Sequence, residues 1–253
     1  MPEREIDGGL IIKPQVVEQP SDKIYRIGIV IPVLNNFEGC VDLLQSIRSK
    51  HIVSVYVMPQ YRQREALSAA WNNGSKRAFF EGCDFALVCN DDIMFAPECI
   101  DNMVNEYIKY QNEGVVMVTP NNIMGQMPDK YSILNYYLPA EQSSSIADHP
   151  NFSCFLIAKD FFDEMGTFDE NFYPAWCEDQ DMHQRIYLAG KRAITSTACP
   201  SVHIGQVTTA KLGSADSSVS AAHFMKKWGS HNVTVPQLFT HPYNDETKTY
   251  KDW

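Results

Sequence analysis

The stretch Asp84-Phe-Ala-Leu-Val-Cys-Asn-Asp-Asp-Ile-Met-Phe95 organises the rest of the chain. Its apolar run, Phe85 to Cys89, predicts a strand buried on both faces, and the run stops at Asn90, Asp91 and Asp92. A buried parallel strand that ends in clustered carboxylates sets them at its carboxyl end, where open α/β sheets hold ligands. Adjacent acids repel one another unless positive charge lies between them, and a hard divalent cation meets that need. Taken alone, the same residues also read as an acidic solvent turn.

On the amino-terminal side, Ile24 to Ile31 predicts a first buried strand closed by Pro32, followed by Asn35 and Asn36. Phe37, Cys40, Val41, Leu44 and Ile47 then recur at helical spacing. Residues 52–58 predict a second strand, and Leu67, Ala70, Trp71, Ala78 and Phe79 a helical region interrupted by Asn72-Asn73-Gly74. On the carboxyl-terminal side, Pro97 suits a first helical turn, and Ile100, Met103, Val104, Tyr107 and Ile108 build one apolar face. Gly114 is placed as a cap before a fourth strand, Val115 to Val118. Strand and helix alternate with no fixed repeat. That pattern predicts an α/β domain with a mostly parallel, Rossmann-like sheet and helices on both faces.

From Asn121 to Pro150 the periodicity fades into a long Tyr-bearing segment, expected to be a loop or lid over an acceptor. Phe152 to Ala158 predicts another strand, and a short helix runs to Gly166. The segment from Phe168 to Trp176 is aromatic and irregular, and it feeds a helix over residues 177–190. Two extended pieces, 193–198 and 201–204, end at His203, and a short amphipathic stretch covers Ala221 to Trp228. Residues 1–22 read as an arm or an extra edge element, and residues 230–253 as a tail.

With 253 residues the chain is long enough for a full core, and 44% hydrophobic with 21% charged residues is ordinary for a globular domain. A net charge of -10 argues against general nucleic-acid binding, which needs a basic face. No stretch reaches the ~18 apolar residues of a membrane span, and Met1 to Gly9 is too polar for a signal peptide. The seven cysteines form no Cys-x-x-Cys pair, which argues for reduced core thiols and against a zinc site. A soluble, cytoplasmic protein is expected.

Glu178, Asp179 and Asp181 fall in the first turn of their helix, where the macrodipole favours acids. Three acids exceed what capping needs, and one of them, beside the aromatic wall of Tyr173 and Trp176, suits a general base. His203 reads either as a satisfied structural residue or as one imidazole completing an oxygen-rich cation site with Asp92. Lys226 and Lys227 read as a solvated helix face or as donors to a diphosphate.

In this order and spacing, the pieces resemble the family 2 inverting glycosyltransferases of the GT-A fold, especially their rhamnosyltransferase-like branch. The resemblance runs through Ile29-Val-Ile-Pro-Val-Leu-Asn35, Trp71-Asn-Asn-Gly74 and Asn90-Asp91-Asp92, which matches the Asp-x-Asp motif. It continues through Gly166-Thr-Phe-Asp-Glu-Asn-Phe172, Glu178-Asp-Gln-Asp181, Ala189-Gly190, Val202-His203 and Lys226-Lys-Trp-Gly229.

The resemblance implies a GT-A domain over 23–229, with a nucleotide-binding half at 23–120 and an acceptor half at 121–229. It implies that Asp92 and His203 bind Mn²⁺ or Mg²⁺, and that Asp179 is the catalytic base with Glu178 orienting it or the acceptor. Pro32, Asn35, Asn73, Asn90, Asp91 and Lys227 are implied to hold the nucleotide-sugar, with Trp176 and Asp181 on the acceptor side. The implied donor is a UDP, GDP or dTDP sugar and the acceptor a glycan or other hydroxyl compound. Asn90 departs from the motif by removing one charge, and Met58-Pro-Gln60 lacks the acid that recognises a uracil-type base in that family. Asn90 keeps open a glycosyltransferase-like binding module without catalysis. A sugar nucleotidyltransferase would carry a Gly-rich loop after the first strand, and Pro32-Val-Leu-Asn-Asn36 has none.

Overall fold

The β-branched run around Ile29 forms β1 (Arg26–Val33), buried along almost its whole length. Two strands flank it in parallel, β2 (Ile52–Pro59) and β3 (Phe85–Cys89). Helices α1 (Phe37–Ser46) and α2 (Leu67–Phe80) make the connections between them. The computed structural model describes residues 23–59, 66–146, 152–205 and 217–229. The expected arm over 1–22 and tail over 230–253 lie outside the described residues.

Past β3 the sheet continues with β7 (Cys154–Ala158), which runs antiparallel to both β3 and its other neighbour, β5 (Val115–Asn122). Next comes β8 (Arg192–His203), parallel to β5. Two three-residue strands, β4 (Ile93–Phe95) and β6 (Ser144–Ile146), pair antiparallel with β8. Strands β2, β1, β3, β5 and β8 therefore share one direction, and the eight strands form one sheet across both expected halves. The sheet is mixed because β7 is inserted in reverse and the short β4 and β6 also run against β8.

Both faces of the central strands are covered, which accounts for the unbroken apolar runs of β1 and β3, whereas the edge strand β2 stays largely exposed. Alternation along β1 sends Ile27, Ile29 and Ile31 to the face under α1 and α3 (Cys99–Tyr110), where Leu43 and Met103 join them. Val30 points to the other face, with Trp71 of α2, Phe161 of α4 (Phe161–Met165) and Met182 of α5 (Glu178–Leu188). There Trp71 stands edge-on to Phe155 and Phe168, with ring centres 5.3 and 5.1 Å apart. A further helix, α6 (Ser218–Trp228), packs Phe224 and Trp228 against Phe172.

The structure differs from the sequence expectations at three places. Helix α2 runs straight through Asn72-Asn73-Gly74. Gly74 is there for packing, because a Cβ at this position would overlap the Val30 side chain. The extended pieces at 193–198 and 201–204 are one strand, β8, whose pairing with β5 slips between Ser196 and Pro200. Proline has no N–H to give to a ladder, so the break falls where it sits. The segment 121–150, expected to be a lid, is largely built into the fold: β5 runs on to Asn122, Ile133 is fully buried and Lys130 pairs with Asp42 of α1 at 2.5 Å. Residues 147–150 of that segment lie outside the described residues.

Replacing Gly74 by Ala gains helix propensity of up to about 1 kcal/mol. The overlap with the stiff, fully buried Val30 outweighs that gain, since overpacking a core costs about 1–3 kcal/mol. Thermal or urea unfolding of Gly74→Ala is expected to show a net loss of stability.

Candidate functional site

Because β1 and β3 are parallel neighbours, their carboxyl ends emerge side by side, carrying Pro32–Asn36 and Asn90–Asp92. The Asn36 amide donates to the Asp91 carbonyl at 3.2 Å and to its carboxylate Oδ1 at 3.3 Å. A Cβ on Gly39 would overlap both the Asn36 side chain and the Asp91 carbonyl, so glycine lets the first turn of α1 sit on the acidic turn. Asp91 and Asp92 are buried, Pro32 is buried within β1, and Asn73 is exposed on α2. Asn35 is half-buried, and its buried Oδ1 meets no hydrogen-bond donor among the described residues. The half-buried Asn90 is tied to β7, its backbone N–H donating to the Ser153 carbonyl at 2.8 Å.

Strand β4 starts directly after Asp92 and pairs with the end of β8, with Ile93 opposite His203. This pairing brings His203 Nε2 to 3.2 Å from Asp92 Oδ1. The Gly205 N–H donates to Asp92 Oδ2 at 3.0 Å and the Ile204 N–H to the Asp92 carbonyl at 3.2 Å, so the carboxylate is held in place. Adjacent ligands around a small octahedral cation, each about 2.1 Å from it, stand about 3 Å apart. The Asp92–His203 separation fits that span, and one carboxylate oxygen with one imidazole nitrogen suits Mn²⁺. No group of three or more His, Cys, Asp or Glu placed to hold a metal occurs among the described residues. The two side chains would therefore supply part of a coordination shell.

The second part of the site begins at Phe168, whose ring lies 6.1 Å from that of Phe152, next to the Ser153 that holds Asn90. From here the chain leads to α5. Trp176 and Cys177 take φ values of 77° and 68°, a left-handed region that non-glycine residues enter at about 1–3 kcal/mol each. Glu178 and Asp179 open the helix. Asp179 is half-buried and its Oδ1 accepts the Gln180 N–H at 2.8 Å. Glu178 is buried, and its Oε2 has no hydrogen-bond partner among the described residues. Burial, then the charges of Asp179 and Asp181, push its carboxyl well above the usual carboxylate range, partly offset by its own backbone N–H. Trp176 is half-buried at the turn into the helix.

Two residues implied in substrate binding are corrected here. The side chain of Lys227 is fully buried, with Nζ 2.8 Å from Asp169 Oδ2 and 2.7 Å from Asp181 Oδ1. An ammonium already bound by two carboxylates in the interior does not face a diphosphate. Asp181 is fully buried as well and also binds Arg185 at 3.1 Å and the Trp228 indole N–H at 2.9 Å, so it does not face an acceptor.

Sequence reasoning quoted Asp169 within the 166–172 motif but gave it no role. Burial alone would raise its carboxyl, but hydrogen bonds from His223, Lys227 and the Asn171 backbone, with the Lys227 charge, hold it well below the usual range. It read Asn72 as part of a helix interruption, whereas Asn72 fastens the turn at 168–170 by donating to the Phe168 carbonyl and Glu170 and accepting from the Phe168 N–H. These partners lie far apart in the chain and leave no local pattern.

No protein-family model matches the sequence, and no curated protein matches it. Solved structures do match its fold. GalNAc-T7 with UDP, GalNAc and Mn²⁺ aligns with a TM-score of 0.62 at 14% identity, over 92% of this chain and 55% of that one. This chain thus spans about half the length of that protein. The catalytic domain of Drosophila β1,4-galactosyltransferase 7 with xylobiose aligns with a TM-score of 0.51 at 15% identity, over 72% of this chain and 71% of that one. A variant of the Drosophila enzyme with manganese, UDP-Gal and xylobiose gives a TM-score of 0.50 at 15% identity, over 74% of each chain. The chain has the GT-A glycosyltransferase fold.

The buried Glu178 makes a pH prediction. The folded protein holds its proton more tightly than the unfolded chain, whose Glu titrates at about 4.3. Its contribution is therefore fully present below that pH and is lost as pH rises through the folded value. Glu178→Gln, neutral throughout, should gain melting temperature relative to the wild type as pH rises from about 5 to 8. A constant difference across that range would refute the assignment.

Proposed function

We propose that this protein is a metal-dependent glycosyltransferase that moves a sugar from a nucleotide-diphosphate donor to an acceptor hydroxyl with inversion. The observation that carries the proposal is the Asp92–His203 pair, assembled at the carboxyl edge of the sheet in a chain with the GT-A fold. A UDP-sugar is the favoured donor, because UDP or UDP-Gal and manganese are the ligands named for two of the similar structures.

Asp92 and His203 would hold the cation, which when bound supplies positive charge to neutralise the diphosphate leaving group. Asp91, Asn90 and Asn35 border the same edge, and the unpartnered Asn35 Oδ1 would accept from a donor hydroxyl or base N–H. Asp179 removes the acceptor hydroxyl proton as that oxygen attacks the anomeric carbon. The bond from that carbon to the diphosphate oxygen breaks in the same step, and the diphosphate leaves with the electron pair. Glu178 lines the helix start beside Asp179 and orients it, and Trp176 offers an aromatic surface to an acceptor sugar.

The melting temperature measured against UDP, GDP and dTDP, each with and without Mn²⁺, tests donor binding, since a ligand bound only by the native state must raise it. A Mn²⁺-dependent rise with UDP is expected, and no rise with any nucleotide would overturn the proposal. Asp92→Ala and His203→Ala should each weaken that binding by roughly 10- to 100-fold. Asp179→Asn should keep donor binding and lower the rate of transfer by roughly 10²- to 10⁴-fold. Equal transfer by wild type and Asp179→Asn would remove Asp179 from the role of base.

A further inference from the structure

We infer that helix α6 is a positioning element: Ser220 and Lys227 hold the 173–177 loop and the first turn of α5 in the conformation that presents Asp179. The inference rests on the proposed role of Asp179.

The contacts come from both ends of α6. At its start, the Ser220 hydroxyl donates to the Ala175 carbonyl at 2.7 Å and lies 3.1 Å from the Tyr173 carbonyl. Near its end, Lys227 joins Asp169, ahead of the loop, to Asp181, inside α5. The Trp228 indole N–H reaches the same Asp181 carboxylate, and His223 binds Asp169 at 2.9 Å. The loop is thus held before and after its two left-handed residues, Trp176 and Cys177. On its far side the Pro174 carbonyl accepts the Leu67 N–H at the start of α2, at 2.9 Å.

A strained turn keeps its shape only when its surroundings over-determine it, and here α6 supplies side-chain contacts on both sides of it. Buried ion pairs suit this task, because breaking one leaves an uncompensated charge in the interior and the alternative packings are disfavoured. A base displaced by about 1 Å can lose on the order of 100-fold in rate. Lys227 and Ser220 therefore act on transfer through Asp179 without touching substrate.

The test uses the full chain with Lys227→Met and the milder Ser220→Ala, which removes the hydroxyl without stranding a buried charge. Hydrogen exchange over residues 170–180 reads the hold with no substrate present. Faster exchange there in Ser220→Ala supports the inference, and unchanged exchange overturns it, whether or not wild type shows transfer. For transfer, the rate per nucleotide-binding site should fall about tenfold or more in Ser220→Ala, with Mn²⁺–UDP affinity and donor KM unchanged. A variant that melts earlier but keeps the wild-type rate per binding site would overturn the inference and leave α6 a purely structural helix. Wild type that binds Mn²⁺–UDP yet shows unchanged activity on loss of Asp179 would sink the role of Asp179 instead, and the exchange result would still decide the hold.

Discussion

The candidate site depends on one short antiparallel pairing, β4 against the end of β8. Three residues of ladder are a small contribution to stability, yet they decide where two distant side chains meet. The acidic turn at Asp91–Asp92 opens into β4, and β4 pairs on β8, so His203 comes opposite Ile93 and beside Asp92. The N–H groups of Ile204 and Gly205 then close around the same aspartate. A slip of one residue would turn His203 to the other face of the sheet and dissolve the pair.

The reversed strand β7 has a comparable effect. A strand antiparallel to its neighbours begins at the edge where they end. Its amino-terminal flank, Phe152 and Ser153, therefore lies at the ligand edge, holding Asn90 through a backbone bond and reaching Phe168 through packed rings. This is how the aromatic segment before α5 is brought toward the carboxyl ends of β1 and β3. An all-parallel sheet would put the start of that strand at the opposite edge.

Charge is distributed unequally across the interior. Lys227 has both its carboxylates within 2.8 Å, and Asp181 adds Arg185 and Trp228. A short distance along α5, Glu178 is as deeply buried but has an oxygen with no partner, and its carboxyl is pushed up accordingly. A satisfied buried cluster makes packing specific, whereas an unsatisfied buried polar atom is a cost retained only where something else requires it. The fold is secured at α6 and left unsatisfied at the helix start that carries Asp179.

The sequence by itself determined the alternation of strands and helices, the acidic end of β3 and the acid-rich start of α5. These follow from local pattern: apolar runs of strand length, helical spacing and carboxylates where a run stops. Through family resemblance it also singled out Asp92 and His203, which the fold brings within 3.2 Å of each other. Only the tertiary structure decided that β7 is inserted in reverse, that the segment after β5 is tied into the fold through Lys130–Asp42 and β6, and that Lys227 and Asp181 face each other in the interior. A lysine on an amphipathic helix looks the same in sequence whether it meets solvent, a phosphate or a buried carboxylate. Its partners, Asp169 and Asp181, belong to other elements and are chosen by how those elements pack.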